Sequence, residues 1–331
     1  ILTSILINAW LIEIIPLKKQ LIYGFILTII SLIGIIFLNN IFLFSVNIFI
    51  LGFVSGITMS IGTFIITCLY SGKKRGSKLL LTDSFFSMSG MIFPIITVFL
   101  LEKKILWYWI YVCIGSIYFL IILLTINVKF PECQKSKKNQ EKNIKTWNVN
   151  VILLSISALF YILGQLGFIS WIPQYANQIV NTSINNAGNL VSSFWMSYMI
   201  GMWFFSVIIK FFCLKRVFIL LTSISTMLMS FFLYNTNYLI LQISIIGLGF
   251  FSSAIYTIII TLSSLQTKNP SPKLINIILL CGTIGTLLTF IVTSPIVKYY
   301  GLYASLISSN IFYAIVFFLS ILIYFNSKNQ K

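Results

Sequence analysis

The stretch that decides the fold runs from Ser71 to Pro94 and reads SGKKRGSKLLLTDSFFSMSGMIFP. It opens with a knot of positive charge, Lys73, Lys74, Arg75 and Lys78, and passes straight into a long apolar run. One carboxylate, Asp83, interrupts that run. In a helix rising about 1.5 Å per residue, the acid lies about 7–8 Å past the last lysine, inside the edge of a bilayer. An ionisable group at that depth costs several kcal/mol unless it faces a cavity or a partner, which makes Asp83 a functional candidate. At 3.6 residues per turn, Asp83, Ser87, Gly90 and Pro94 share one stripe, and phenylalanines cover the rest. A stripe of small and polar residues suits a lined cavity, and equally a close-packed contact between helices.

The remainder of the chain has the same character. It is 59% hydrophobic and 8% charged, with a mean hydropathy of +1.02. A soluble domain carries about a quarter charged residues, so this is an all-α polytopic membrane protein. The net charge of +17 sits in short gaps between apolar runs, where topology explains it better than nucleic acid does. The abundance of Ile, Asn, Lys and Phe resembles the bias of an A+T-rich genome. No histidine is present, which excludes a His proton relay and His-based catalysis within these residues. The five cysteines are scattered singly, without metal or redox spacing, and no cofactor or metal is expected.

Residues 1–15 read as the tail of a span. Ten full spans follow, at 21–38, 42–70, 79–101, 105–128, 149–173, 190–212, 217–234, 238–264, 274–297 and 302–325. Alternate gaps share the positive charge. Of the 22 lysines and arginines, only Lys103, Lys104 and Lys298 fall in the opposite set of gaps. That asymmetry sets the central linker, 129–148, and the C-terminus in the cytoplasm, which compositional bias alone does not produce. Trp107, Trp109, Trp147 and Trp171 lie near span ends, as interfacial aromatic belts do. Asn47 and Asn276 are expected to hydrogen-bond between helices rather than to hold a ligand.

An internal repeat is visible. Pro16-Leu17-Lys18-Lys19-Gln20-Leu21-Ile22 recurs as Cys213-Leu214-Lys215-Arg216-Val217-Phe218-Ile219, and Thr63–Thr67 recurs as Thr257–Thr261 at nearly the same offset. Two matches bracketing one linker argue for two halves of six helices: 1–128 as an incomplete N-terminal half, 129–148 as linker, 149–331 as C-terminal half. About eleven helices are then expected here, with the first helix and part of the second missing upstream of Ile1. Repeated halves with a site between them are the usual build of secondary transporters.

The residues around the first repeat resemble the major facilitator superfamily. Its signature after the second helix is a small residue, an acid four positions on, a glycine and then bases. Ala9, Glu13, Pro16, Lys18 and Lys19 occupy those places, with both glycines replaced. The resemblance implies a cytoplasmic latch between halves built on Glu13, Lys18 and Lys19. Within the superfamily the chain is most similar to the fucose-permease-like branch, in its TsgA type of inner-membrane protein. Thr82–Gly90 with Pro94 resembles that branch's fifth helix, with Asp83 and Phe86 where the pattern has Gln and Asn. Tyr161, Gly164, Gln165, Trp171 and Tyr175 resemble the seventh helix, with Gln165 in the acid's place. Phe251–Tyr256 resembles the tenth, without the proline that follows in the family.

The resemblance implies a secondary carrier of a small polar solute that works by rocking of two halves, and not an enzyme. The expected partners are the lipid bilayer, the solute and, where Asp83 takes one up, a proton. A monomer is expected, and no nucleic acid. Candidate solute-binding residues are Tyr161, Gln165, Trp171 and Ser87; candidate gating or coupling residues are Asp83, Glu13, Lys18, Lys19 and Arg75. Span 42–70 lacks the coupling acid that symporters of this branch carry, and Gln165 does not titrate. Asp83 either pairs with Lys78 or Arg75 to hold a gate, or carries a proton; the dense neighbouring lysines favour the gate. The arc of Tyr161, Gly164, Gln165, Phe168 and Trp171 has ordinary helix packing as its competing explanation. The competing function is a protein that keeps the fold without transporting.

Overall fold

The protein was analysed as a computed structural model that describes residues 1–37, 40–103, 106, 108–130, 148–266 and 272–326. Most of the linker, Trp107, Trp147, Lys328 and Lys331, and the side chains of Glu13 and Pro94, lie outside the described residues.

Eleven helical elements follow in order: α1 Leu2–Ile14, α2 Leu17–Phe37, α3 Ile41–Leu69, α4 Gly72–Glu102, α5 Trp109–Asn127, α6 Val149–Gln178, α7 Ile184–Phe211, α8 Leu214–Leu233, α9 Tyr238–Ser252, α10 Ile255–Ser264 and α11 Pro272–Asn326. Among the described residues, eight segments, counting Tyr238–Ser264 as one, are long and apolar enough to cross a membrane. In hydrocarbon every backbone polar group must be satisfied within its own helix, which is why apolar runs of this length fold as helices. Large apolar side chains point outward along them, among them Trp10, Phe37, Phe49, Phe86 and Phe318, as lipid-facing surface requires.

Three boundaries differ from the sequence reading for physical reasons. The basic knot is not a loop: α4 begins at Gly72, whose φ of 55° is a left-handed conformation that glycine adopts without steric cost. Lys73, Lys74, Arg75 and Lys78 are therefore helical. The expected span 238–264 is interrupted at Ser253 and Ala254, giving α9 and α10. The two final spans run on as α11, broken only at Gly301 with a φ of 86°.

The helices form two compact units. One comprises Ile1–Leu69, Ile92–Ile144 and Asn269–Leu280; the other comprises Tyr70–Met91, Lys145–Lys268 and Cys281–Lys331. In the first, α3 packs on α1 and α2, and α2 on α5. A buried polar chain ties it together: Asn8 donates to Ser60 at 2.7 Å, Ser60 to Asn276 at 2.5 Å, and Asn276 to the Ile5 carbonyl at 3.3 Å. Asn276 is thus an interhelical group, as its sequence position suggests. Gly56 lies so close to Ser4 and Ile1 that any added Cβ collides with them. In the second unit α7 packs on α6 and α9, α8 on α9, and α10 on α6 and α8.

Candidate functional site

The chemistry-bearing side chains gather in the second unit, and α4 supplies the first of them. The start of α4 runs antiparallel to α10, since Asp83 meets the first turn of α10 and Arg75 meets its last residue. The Thr257 hydroxyl donates to Asp83 Oδ2 at 2.8 Å. Arg75 Nη1 donates to the carbonyl and hydroxyl oxygens of Ser264 at 2.8 and 2.9 Å, and its Nε donates to the Tyr70 carbonyl at 3.0 Å. Between these two ties sits Gly76, where a Cβ would stand 3.0 Å from both Thr261 Oγ1 and Ile209 Cδ1. Glycine here is what lets the backbones approach. Among the described residues the partner of Asp83 is a threonine rather than a cation, and Lys78 instead lies 5.6 Å over the Tyr70 ring.

Next to Asp83 on α4, Ser84 accepts from the Trp203 indole at 2.9 Å, and one turn on Ser87 is buried against the Met202 sulfur at 3.9 Å. Phe85 and Phe86 face outward. The stripe of Asp83 and Ser87 is thus the packed side of α4, with α7 and α10 against it.

The second group is built on α6. Tyr161 is fully buried, and its hydroxyl donates at 2.7 Å to the carbonyl of Ser252, the last residue of α9, where the helix is interrupted. Interruptions of a membrane helix persist where protein groups re-satisfy the freed backbone. The same hydroxyl lies 3.3 Å from that of Tyr198 on α7. The ring stacks on Tyr256, with centroids 6.3 Å apart and planes at 15°, and tilts against Tyr313 at 5.5 Å. Gln165 lies one turn on from Tyr161 along α6. It is 4% exposed, yet its Nε2 has no hydrogen-bond partner among the described residues. Thr257, which holds Asp83, follows Tyr256 in the chain, and Tyr256 stacks on Tyr161, so the carboxylate and the tyrosines are neighbours through α10.

The expected arc on α6 is divided among several neighbours. Gly164 lies under Tyr313 and Gly167 beside Ser309, both on α11. Phe168 meets Phe232 of α8 edge-on at 5.1 Å. Trp171 donates to Thr293 at 2.9 Å and so is tied to α11, almost three turns beyond Tyr161. Tyr161 reaches the Asp83 tie through Tyr256, the neighbour of Thr257, and Gln165 lies one turn from Tyr161; Trp171 is tied to α11 instead.

Bases at the helix ends do more than line a surface. In the first unit Lys18 donates to the carbonyls of Ile126 and Val128 at the end of α5, at 2.7 and 3.1 Å. In the second, Lys73 donates to the carbonyl of Phe211, the last residue of α7, at 3.1 Å, and Arg75 closes α10 as described. Each is a cation at the negative end of a helix dipole. Lys19 is exposed. Gln20, which the sequence reading passed over, closes α1 by donating to Leu11 and Ile15 carbonyls at 2.8 Å each.

Comparison with known proteins bears on what such a constellation serves. The family model described as Major Facilitator Superfamily matches residues 1–210. The chain belongs to that superfamily. Its members move solutes across membranes and are not enzymes. Within the superfamily it falls among the TsgA proteins: it is 72% identical over 331 residues to the Protein TsgA homolog of Buchnera aphidicola subsp. Acyrthosiphon pisum (strain 5A), covering 100% of this chain and 85% of that protein. It is 54% identical over 334 residues to Protein TsgA of Escherichia coli O17:K52:H18, covering 100% of this chain and 84% of that one. Among solved structures it is similar to FucP, the E. coli fucose:proton symporter, with a TM-score of 0.79 at 16% identity over 97% of this chain and 87% of that one. It also resembles the human organic anion transporter MFSD10, with a TM-score of 0.76 at 12% identity over 96% of this chain and 80% of that one. At such identities the likeness is one of fold. The chain is therefore a multi-pass bacterial membrane protein with a major facilitator transporter fold.

Proposed function

We propose that the protein is a secondary transporter of a small polar solute, working by alternating access of two six-helix halves in the bacterial inner membrane, with its C-terminus cytoplasmic. The observation that carries this reading is the buried amide of Gln165. A donor withdrawn from water without a partner costs about 1–3 kcal/mol, and a solute acceptor removes that cost. Tyr161 and Tyr198 beside it supply hydroxyls and aromatic faces of the kind that line small-molecule sites. Ser87 packs on α7 beside this centre, and Trp171, tied to Thr293, stands further along α6.

The gate in this reading is α4 against α10. Thr257 on Asp83 and Arg75 on Ser264 hold the start of α4 to α10, and breaking both ties frees it to move. Glu13, Lys18 and Lys19 mark a second latch, after the motif they resemble, with Lys18 as its holding base. A fold retained without transport is the alternative, favoured by the replacement of both latch glycines. Counterflow decides between them: proteoliposomes preloaded with one unlabelled solute at a time, from a panel of sugars, polyols, amino acids and amines, are tested for uptake of the same labelled solute. Exchange of any solute above that of empty liposomes supports the carrier. Absence of exchange across the panel by folded protein supports the alternative.

A further inference from the structure

We infer that the solute carries a positively charged amine, held by Asp83 and the tyrosine cluster beside Thr257, together with an oxygen acceptor that meets Gln165; the inference rests on the transporter reading above and gives its solute a chemical class. It starts from charge. Asp83 is the one acidic residue of the second unit's described residues, and its hydrogen-bond partner there is the neutral Thr257 hydroxyl. A carboxylate in a low-dielectric setting attracts a cation and repels an anion far more strongly than it would in water. An anionic solute is therefore disfavoured at this position, and a neutral one leaves the carboxylate without a counter-charge.

The surroundings match a cationic group in a second way. Tyr161, Tyr198, Tyr256 and Tyr313 place four aromatic rings in one cluster, and Tyr256 directly precedes the threonine that holds Asp83. The faces of aromatic rings carry negative charge and bind ammonium groups, and several rings around one cation is the arrangement that recognises organic amines. Their hydroxyls accept hydrogen bonds from an ammonium as well. The third observation is independent of charge. Gln165 Nε2 is a donor, buried and unpartnered, so the group it meets on the solute is an acceptor: a hydroxyl, ether or carbonyl oxygen.

Burial orders these contacts. Asp83 and Tyr256 are half-buried, whereas Gln165, Tyr161 and Tyr313 are buried. The ammonium end accordingly takes the more accessible position, where Thr257 now occupies the carboxylate, and the oxygen end takes the deeper one. Displacing Thr257 from Asp83 also removes one of the two ties between α4 and α10, so solute binding and release of the gate draw on the same hydrogen bond.

The test uses the full chain in phosphatidylethanolamine–phosphatidylglycerol nanodiscs and three probes of equal length: 4-amino-1-butanol, 1,4-butanediol and 4-hydroxybutyrate. Binding is read by isothermal titration at pH 7. The amine is expected to bind at least about tenfold more tightly than the diol, and the acid least. Asp83→Asn should abolish the preference for amine over diol, while Thr257→Val, which keeps the charge, should preserve or increase it. Gln165→Leu should weaken both the amine and the diol. Equal binding of amine and diol, tighter binding of the acid, an unchanged preference in Asp83→Asn, or no binding of the amine each overturns the inference. Counterflow of any neutral or anionic solute would then leave the transporter reading standing, so the two failures are distinguishable.

Discussion

Arg75 Nη1 bonds to both oxygens of Ser264, at 2.8 and 2.9 Å, and so closes the end of α10 from the first turn of a different helix. A guanidinium does this better than an ammonium because its planar fork presents several donors at once. Arg75→Ala leaves the Ser264 carbonyl without that donor in a buried setting and should lower unfolding stability by about 1–3 kcal/mol, with Arg75→Lys recovering part of it. Denaturant unfolding in detergent, followed by tryptophan fluorescence, measures the loss; an unchanged midpoint in Arg75→Ala would count against the tie.

The two lysines of the α1–α2 connection should separate cleanly. Lys18 caps α5, whereas Lys19 is exposed. Lys18→Gln is expected to cost about 0.3–1 kcal/mol in the same assay and Lys19→Gln close to nothing. A latch built equally on both would give matching losses.

Tyr161→Phe removes only an oxygen, yet that oxygen serves the Ser252 carbonyl at the interruption between α9 and α10. The variant should lose about 1–2 kcal/mol of stability and show faster amide exchange at Ser253 and Ala254 than along α9. Uniform exchange along Tyr238–Ser264 would show that the hydroxyl does not hold the break.

Much of this was legible in the chain. Span positions follow from runs of apolar residues, because the bilayer fixes their length, and eight segments meet that test. Asp83 stood out because a charge in an apolar run is costly, and Gln165 because it interrupts one. Less visible was what pairs with them. Thr257 lies 174 positions from Asp83, and hydroxyls along helices are usually satisfied by their own backbone, so its sequence gives no sign of an outside partner. Tyr198, Tyr256 and Tyr313 are single tyrosines in aromatic-rich runs; only packing shows that they surround Tyr161. The basic knot read as a loop because charge was taken to end the span, whereas Lys and Arg are good helix formers and here continue the helix down to Gly72.

Topology is tested with the cysteines already present. Cys213 is exposed in the turn between α7 and α8, beside Lys210 and Lys215. With the other cysteines replaced by serine, it should react with a membrane-impermeant maleimide in inside-out vesicles and not in intact spheroplasts. A cysteine placed at Asn181, between α6 and α7, should behave in the opposite way. Labelling of Cys213 from outside would invert the assignment.

Asp83→Asn distinguishes the two roles of the carboxylate. A gate residue should lose uphill uptake and counterflow together, whereas a proton carrier keeps counterflow and loses only pH-driven accumulation. We expect joint loss, because Asp83 already ties α4 to α10 through Thr257.

The central claim is that transport requires α4 to part from α10, and a cross-link between them tests it most directly. Gly76 and Thr261 approach closely enough for one, since a Cβ on Gly76 would lie 3.0 Å from Thr261 Oγ1. In a background with the native cysteines replaced by serine, Gly76→Cys with Thr261→Cys should form a disulfide on oxidation. The account predicts that the oxidised protein shows no counterflow and that reduction restores it; full counterflow by the cross-linked protein would contradict it.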